Sequence, residues 1–151
     1  MLVSRLKSLI KRTLPRPIYD TIIYPAAEGI LSLIYLGRGY KVNIWGQGLF
    51  RWSPRFRIAN LGKSRDNSHV AFAECVQACK GKSVFVDVGA HVGFYSLPAS
   101  AVLAPGGRVF AFEPSDSNFR YLQKHIAYNS ITNIHPYKMV VGDSRKDAVP
   151  F

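Results

Sequence analysis

The stretch VFVDVGAHVGFYS, residues Val84–Ser96, decides the fold of this 151-residue chain. It opens with four apolar residues around Asp87, which do not alternate with polar ones as they would in a strand with one wet face. Such a run predicts a central strand that is covered on both faces. Gly89 and Gly93 then permit a tight turn in which the backbone approaches a bound molecule closely. The stretch therefore predicts a strand, a turn and a helix start around a ligand-binding crevice.

Helices and strands alternate after this stretch. Residues 94–103 predict a helix, in which Pro98 would remove a backbone hydrogen bond and produce a kink. Residues 108–113 (RVFAFE) and 134–141 predict a second and a third strand, with another helix between them. This order is typical of a parallel sheet with right-handed crossovers, so we expect a doubly wound, Rossmann-like α/β fold. Pro136 suits an edge strand, which predicts the spatial order three, two, one.

The first strand of this sheet is the most apolar, yet its outer edge has no evident partner. Nothing after Asp143 reads as the missing half of the sheet, and an exposed apolar edge invites aggregation. We therefore expect a sheet that is truncated after its third strand. Alternatively, the N-terminal hairpin or another subunit covers this edge.

Residues 1–67 are predicted to form a basic N-terminal extension, and residues 68–151 a partial catalytic domain. Residues 1–80 hold 13 Lys and Arg against 4 Asp and Glu, within a chain of net charge +11. Residues 2–14 predict a basic amphipathic helix, which either contacts a membrane surface peripherally or docks on protein. Residues 40–58 predict a β-hairpin. Its interleaved arginines and aromatics suit a nucleic-acid surface, but we favour one wet face and one packed face.

Composition excludes several other classes of protein. At 48% hydrophobic residues the chain is ordinary globular material. Cys75 and Cys79 are its only cysteines, and they constitute neither a disulfide framework nor a zinc ligand set, so we expect no metal. The apolar stretch 18–36 contains Asp20, Pro25 and Glu28 and is not a membrane span, and no signal peptide is evident. We expect a cytoplasmic protein, or one that is peripheral to the membrane.

Acidic residues follow the predicted strands, where ligands bind in open α/β sheets. Asp87 stands before Gly89, Glu113 closes the second strand, and Asp143 follows the third. A helix that starts near Gly93 would point free N–H groups at this crevice and favour an anionic group. Glu113 is placed to accept both hydrogen bonds of a ribose diol. These positions predict a cofactor that carries a nucleoside.

The glycine pattern distinguishes two classes of cofactor. The dinucleotide fingerprint G-x-G-x-x-G, counted from Gly89, meets His91 and Phe94 where glycines are required. The chain instead shows D-x-G-A-x-x-G from Asp87, then F-x-F-E-P at 110–114 and V-G-D at 141–143. With these three motifs in order, residues 68–143 resemble the S-adenosylmethionine-dependent methyltransferases, and among them the FkbM-type family.

This resemblance implies a role for each matching residue. Asp87, Gly89 and Ala90 would line the methionine end of S-adenosylmethionine, with His91 where the family usually has asparagine, and Gly93 closing the motif. Glu113 would hold the ribose, Pro114 would lie against the adenine, and Asp143 would face the adenine amino group. The family implies O-methylation of a sugar or another small hydroxyl acceptor, and hence a small-molecule partner and no nucleic acid. No catalytic residue can be named, because the acceptor half is expected after the third strand.

Two other functions remain open at this point. One is an NAD-type oxidoreductase, which is disfavoured because the glycine fingerprint of dinucleotide-binding proteins is missing. The other is a non-enzymatic, basic protein that associates with a membrane or with nucleic acid, which the charge of the front segment suggests. The oligomeric state is not indicated by the sequence.

Overall fold

The computed structural model describes residues 37–54 and 68–143, with a few single or paired positions between residues 15 and 35. The chain divides into two compact units, Met1–Gly39 and Tyr40–Phe151. The predicted helix at 2–14 and the polar segment at 60–67 lie outside the described residues. In chain order the elements of the second unit are β1 (Tyr40–Asn43), β2 (Leu49–Trp52), α1 (Ser68–Ala78), β3 (Val84–Val88), α2 (Ser96–Val102), β4 (Arg108–Phe112), α3 (Asp116–Tyr128) and β5 (Ile134–Tyr137).

The sheet is parallel and has three strands in the order β3-β4-β5. Val86 lies opposite Phe110, and Ala111 lies opposite Pro136. The predicted Rossmann-like α/β fold and the predicted strand order are therefore confirmed. Pro136 lies on an edge strand of the described sheet, where a residue without an N–H is tolerated because only one side of the strand is hydrogen-bonded. The third strand ends at Tyr137, four residues before the predicted end at Val141.

One face of the sheet is buried and the other is not. The buried face carries Asp87, Val109, Ala111 and Ile134, and α2 and α3 pack against its strands. On the opposite face the side chains of Val84, Val86 and Val88 are 54%, 54% and 60% exposed. The prediction that the first strand is covered on both faces is wrong for the described residues, because no described element packs over these valines.

The β-hairpin belongs to the second unit, together with the sheet. Strands β1 and β2 pair antiparallel, and the turn between them is held by the Gly46 N–H, which donates to Asn43 Oδ1 at 2.7 Å. The pattern placed this hairpin in an extension ending at residue 67, whereas the compact unit begins at Tyr40. The physical reason is packing, since Phe50 and Trp52 share one buried cluster with Leu97 and Leu122. The packed face of the hairpin is thus the face that meets the sheet domain.

Helix α2 begins later than the pattern predicts, at Ser96 rather than at Phe94. Pro98 consequently lies in the first turn of the helix and is buried. The Leu97 N–H donates to Gly93 O and the Ala99 N–H donates to Tyr95 O, each at 3.0 Å, so Pro98, which has no N–H, leaves out the backbone bond between these two, as predicted. Among the described residues, no helix is both long enough and apolar enough to cross a membrane.

Candidate cofactor site

The loop between β3 and α2 has a backbone that few side chains tolerate. Every second residue has a positive φ, at Gly89 (+80°), His91 (+52°) and Gly93 (+97°). A side chain in this left-handed region costs about 1–2 kcal/mol, because its Cβ approaches the following carbonyl oxygen. Two of the three positions avoid this strain by being glycine, and His91 bears it.

The two glycines serve different purposes. A Cβ on Gly93 would lie 2.4 Å from Leu97 Cδ1 and 3.0 Å from Leu122 Cδ1, so the protein interior fills the space around it. A Cβ on Gly89 would meet no atom within 4 Å. Gly93 is therefore required for packing, whereas Gly89 borders open space at the carboxyl end of β3. A bound molecule can approach the backbone closely at Gly89.

The backbone N–H groups of the loop are already engaged. Gly89 and Ala90 both donate to the carbonyl oxygen of Phe112, each at 2.9 Å, which ties the loop to the end of β4. Gly93 donates to Ala90 O at 2.8 Å. The Gly93 N–H is therefore not one of the free N–H groups that we expected at the start of the helix.

Glu113 is the acid that organises the crevice. It is 5% exposed, and its Oε2 accepts the backbone N–H of His91 at 2.8 Å. Its Oε1 accepts the Ser115 N–H at 3.0 Å and the Asn118 amide at 3.3 Å. A carboxylate offers about four acceptor positions, so about one remains for a ligand, on Oε2. We therefore expect Glu113 to accept one ribose hydroxyl and not two, because the His91 N–H, the Ser115 N–H and the Asn118 amide use the other positions.

Asp87 lies on β3 and points to the buried face of the sheet. It is 8% exposed, and Ser96 Oγ donates to its Oδ2 at 2.5 Å. Burial raises the pKa of Asp87 above its ordinary value, the hydrogen bonds from Ser96 lower it, and the nearby Glu113 carboxyl raises it further. The structure thus brings two carboxyl groups close together at the carboxyl ends of adjacent strands.

The fold of this chain resembles that of several solved methyltransferases. An rRNA methylase from Streptococcus thermophilus is 13% identical over 50% of this chain and 44% of its own, with a TM-score of 0.44. TYW2 from M. jannaschii, solved in complex with AdoMet, is 21% identical over 63% of this chain and 39% of its own, with a TM-score of 0.44. TYW2 from P. horikoshii, in complex with MeSAdo, is 15% identical over 91% and 63%, with a TM-score of 0.44.

These similarities concern the fold and assign no residue role. The chain spans less than two thirds of the length of each of these three proteins. No protein-family model matches the chain, and no curated protein does either. Membership of the FkbM-type family therefore stays a prediction.

One prediction is contradicted by the comparison. The FkbM resemblance implies a small-molecule acceptor and no nucleic acid, but one of the proteins with a similar fold is named as an rRNA methylase. The exclusion of nucleic acid had been taken from the FkbM resemblance, which no family match supports. We withdraw that prediction.

The remaining predicted residues lie at different distances from the crevice. Pro114 follows Glu113 directly and is half-buried. Asp143 is exposed and lies beyond the end of β5 at Tyr137. The structure brings Asp87, Gly89, Ala90 and Glu113 together at the carboxyl ends of β3 and β4.

Two polar side chains of the site were not among the predicted residues. Ser96 bonds to Asp87, and Asn118 bonds to Glu113. Both lie close to the quoted motifs, since Ser96 ends the stretch that decides the fold and Asn118 lies on the helix that follows the F-x-F-E-P motif. Neither could be assigned a partner, because hydrogen bonds between elements depend on how the helices are placed over the sheet.

Proposed function

We propose that this chain binds S-adenosylmethionine at the carboxyl ends of β3 and β4, and that it forms the cofactor-binding part of an S-adenosylmethionine-dependent methyltransferase. The observation that carries this proposal is the open space at Gly89 next to the buried carboxylate of Glu113. A residue in the left-handed region with nothing near its missing Cβ is what a closely bound ligand needs.

The charges of the crevice favour this cofactor over a dinucleotide. S-adenosylmethionine carries a sulfonium and an ammonium group, whereas NAD brings an anionic pyrophosphate. The crevice offers the carboxyl groups of Asp87 and Glu113, whose described hydrogen-bond partners are neutral. The N–H groups of Gly89 and Ala90, which would be needed for a pyrophosphate, are bonded to Phe112. A cation is therefore the better electrostatic match.

The residues would share the cofactor in the order in which they line the crevice. Asp87, Gly89 and Ala90 would face the methionine end, and Glu113 would accept one ribose hydroxyl on Oε2. Pro114 would lie against the adenine, and Asp143 would face the adenine amino group. The bound cofactor supplies an activated methyl group on sulfur. The task of these residues is to fix its position, since methyl transfer depends mainly on alignment.

The nature of the methyl acceptor stays outside this proposal. O-methylation of a sugar or another hydroxyl is implied by the FkbM resemblance and remains a prediction, as does the cytoplasmic location that the composition suggests. The described residues of the crevice concern the cofactor and contain no group that we assign to the acceptor. A methyltransferase assay of any acceptor should therefore follow proof of cofactor binding.

Two glycines provide a matched test of the cofactor site. Gly106 has a φ of +78° and Gly89 a φ of +80°, and a Cβ on either would meet nothing within 4 Å. Gly106 precedes β4 and so lies at the opposite end of the sheet from the crevice. Gly89→Ala and Gly106→Ala should therefore lose similar stability, about 1–2 kcal/mol each.

Only one of the two variants should lose the ligand. We expect calorimetry with S-adenosylhomocysteine to show that Gly89→Ala weakens binding more than about tenfold, because the new methyl group occupies the ligand's space. Gly106→Ala should bind as the unchanged protein does. Equal affinity of the two variants would contradict the proposed site, and NADH binding without S-adenosylhomocysteine binding would contradict the cofactor.

A further inference from the structure

The imidazole of His125 joins three elements of the second unit. It belongs to α3, is fully buried, and lies between the hairpin and the loop that follows β3. The Ser53 N–H donates to His125 Nε2 at 3.0 Å, and His125 Nδ1 lies 2.8 Å from the carbonyl oxygen of Val92. Because a backbone N–H only donates, Nε2 is the acceptor and the ring proton resides on Nδ1, which donates to Val92. The geometry thus selects one tautomer.

Asn129, one helical turn later, attaches the hairpin a second time. Its Oδ1 accepts the Arg51 N–H at 2.6 Å, and its Nδ2 donates to Arg51 O at 2.8 Å. The side-chain amide therefore pairs with β2 much as a neighbouring strand would. The four-residue spacing of His125 and Asn129 on the helix matches the two-residue spacing of Arg51 and Ser53 on the hairpin. Of the two helix residues, His125 is the one that also bonds to the loop.

Val92 stands at a sensitive point of the loop. It is fully buried between His91, whose N–H donates to Glu113, and Gly93, whose φ is +97°. The imidazole that holds its carbonyl is itself stacked on Trp52, with ring centroids 3.9 Å apart. Rotation of the peptide group after Val92 would break the bond to His125 and turn the loop away from Glu113.

We propose that His125 is a positioning residue of the cofactor site. Through Val92 it fixes the loop that presents Gly89 and the His91 N–H, and the hairpin holds the imidazole in place for this purpose. The hairpin is accordingly part of the cofactor site and not an appendage. The expected effect on affinity rests on the proposed function, whereas the effect on the loop does not.

Two substitutions separate the two bonds of the imidazole. The amide nitrogen of Asn stands near the place of Nδ1, so His125→Asn keeps a donor for Val92 and loses the acceptor for Ser53. The terminal oxygen of Gln stands near the place of Nε2, so His125→Gln keeps an acceptor for Ser53 and loses the donor for Val92. Asn129→Ala is the control that loosens the hairpin without touching Val92.

Hydrogen exchange and calorimetry should show different patterns for these variants. In His125→Gln the Gly93 and Leu97 amides, whose bonds stabilise the loop, should exchange about tenfold faster, and affinity for S-adenosylhomocysteine should fall about tenfold, as for one buried hydrogen bond. In His125→Asn the Ser53 amide should exchange faster, and in Asn129→Ala the Arg51 amide should exchange faster, while affinity changes less than about threefold in both. A purely structural role would lower stability in both His125 variants and leave affinity unchanged in both, which would overturn the proposal.

A measurement on the unchanged protein covers the case in which the variants do not fold. Nitrogen NMR of His125 should show a protonated Nδ1, whose proton exchanges more slowly once S-adenosylhomocysteine is bound. A protonated Nε2, or exchange that is unaffected by bound ligand, would overturn the proposal. If the unchanged protein binds no S-adenosylhomocysteine, the proposed function fails. The exchange rates of the Gly93 amide in the two His125 variants then still decide whether His125 positions the loop.

Discussion

Gly93→Ala should destabilise the protein more than any other glycine substitution in the loop. The new Cβ would lie 2.4 Å from Leu97 Cδ1 and 3.0 Å from Leu122 Cδ1, and both leucines are fully buried. Overpacking of a filled interior costs typically 1–3 kcal/mol, and the positive φ adds about 1–2 kcal/mol. We therefore expect a total loss of about 2–5 kcal/mol, a large part of the stability of a small domain.

Urea unfolding followed by circular dichroism measures this loss, with Gly106→Ala as the control. Gly106 has a comparable φ of +78° but an empty surrounding, so its substitution keeps the backbone strain and omits the clash. The change from Gly to Ala also stiffens the unfolded chain equally in both variants. The difference between them should therefore be about 1–3 kcal/mol. Equal midpoints would refute the packing that we assign to Gly93.

Three further predictions concern single side chains. Burial lowers the pKa of His125 to about 4, against 6.5 in the unfolded chain. As the pH falls, the unfolded chain therefore takes up the proton first, which favours unfolding. The free energy of unfolding should be about 2 kcal/mol lower at pH 5 than at pH 8 because of this group. Urea midpoints at the two pH values check this, and a smaller loss in His125→Gln attributes it to the imidazole. His91→Asn should raise the melting temperature slightly without weakening ligand binding, because asparagine tolerates a φ of +52° better than histidine does. A lower melting temperature would contradict the backbone strain that we assign to His91. Ser96→Ala removes the side-chain hydrogen bond that lowers the pKa of Asp87 and keeps the backbone one, so a carbon NMR titration should find that pKa higher still. An unchanged pKa would contradict the bond from Ser96 Oγ.

The order of the sheet could be predicted from local pattern alone. Two features were enough for this prediction. They are the apolar run around Asp87, and Pro136, which a sheet tolerates on an edge strand. The exposure of one face could not be predicted in this way. An uninterrupted run such as Val84–Val88 indicates that two apolar faces exist, but burial depends on which elements cover them.

The place of the acidic residues in the sheet could be predicted, but their hydrogen bonds could not. Asp87, Gly89 and Glu113 follow from the rule that ligands bind at the carboxyl ends of parallel strands, and the structure places them there. The sequence could not show which donors form hydrogen bonds to the Glu113 carboxylate. Its partners at His91 and Asn118 come from different elements, and only the assembled fold brings them within hydrogen-bonding distance.

The attachment of the hairpin was the least predictable feature. Arg51 and Asn129 are 78 residues apart in the chain, and neither belongs to a recognisable motif. The alternating pattern of the hairpin correctly indicated a packed face, but it carried no information about what that face packs against. A helix with a histidine and an asparagine one turn apart is too common to signal a contact. This explains why the hairpin was placed in an extension and not in the sheet domain.

Nuclear magnetic resonance of the unchanged protein, titrated with S-adenosylhomocysteine, tests the central claim most directly. We expect saturable shifts of the Gly89, His91 and Glu113 backbone amides, with much smaller shifts at Gly106, which lies at the far end of the sheet. Shifts that spare Gly89 and Glu113, or a complete absence of saturable shifts, would contradict a cofactor site at the carboxyl ends of β3 and β4.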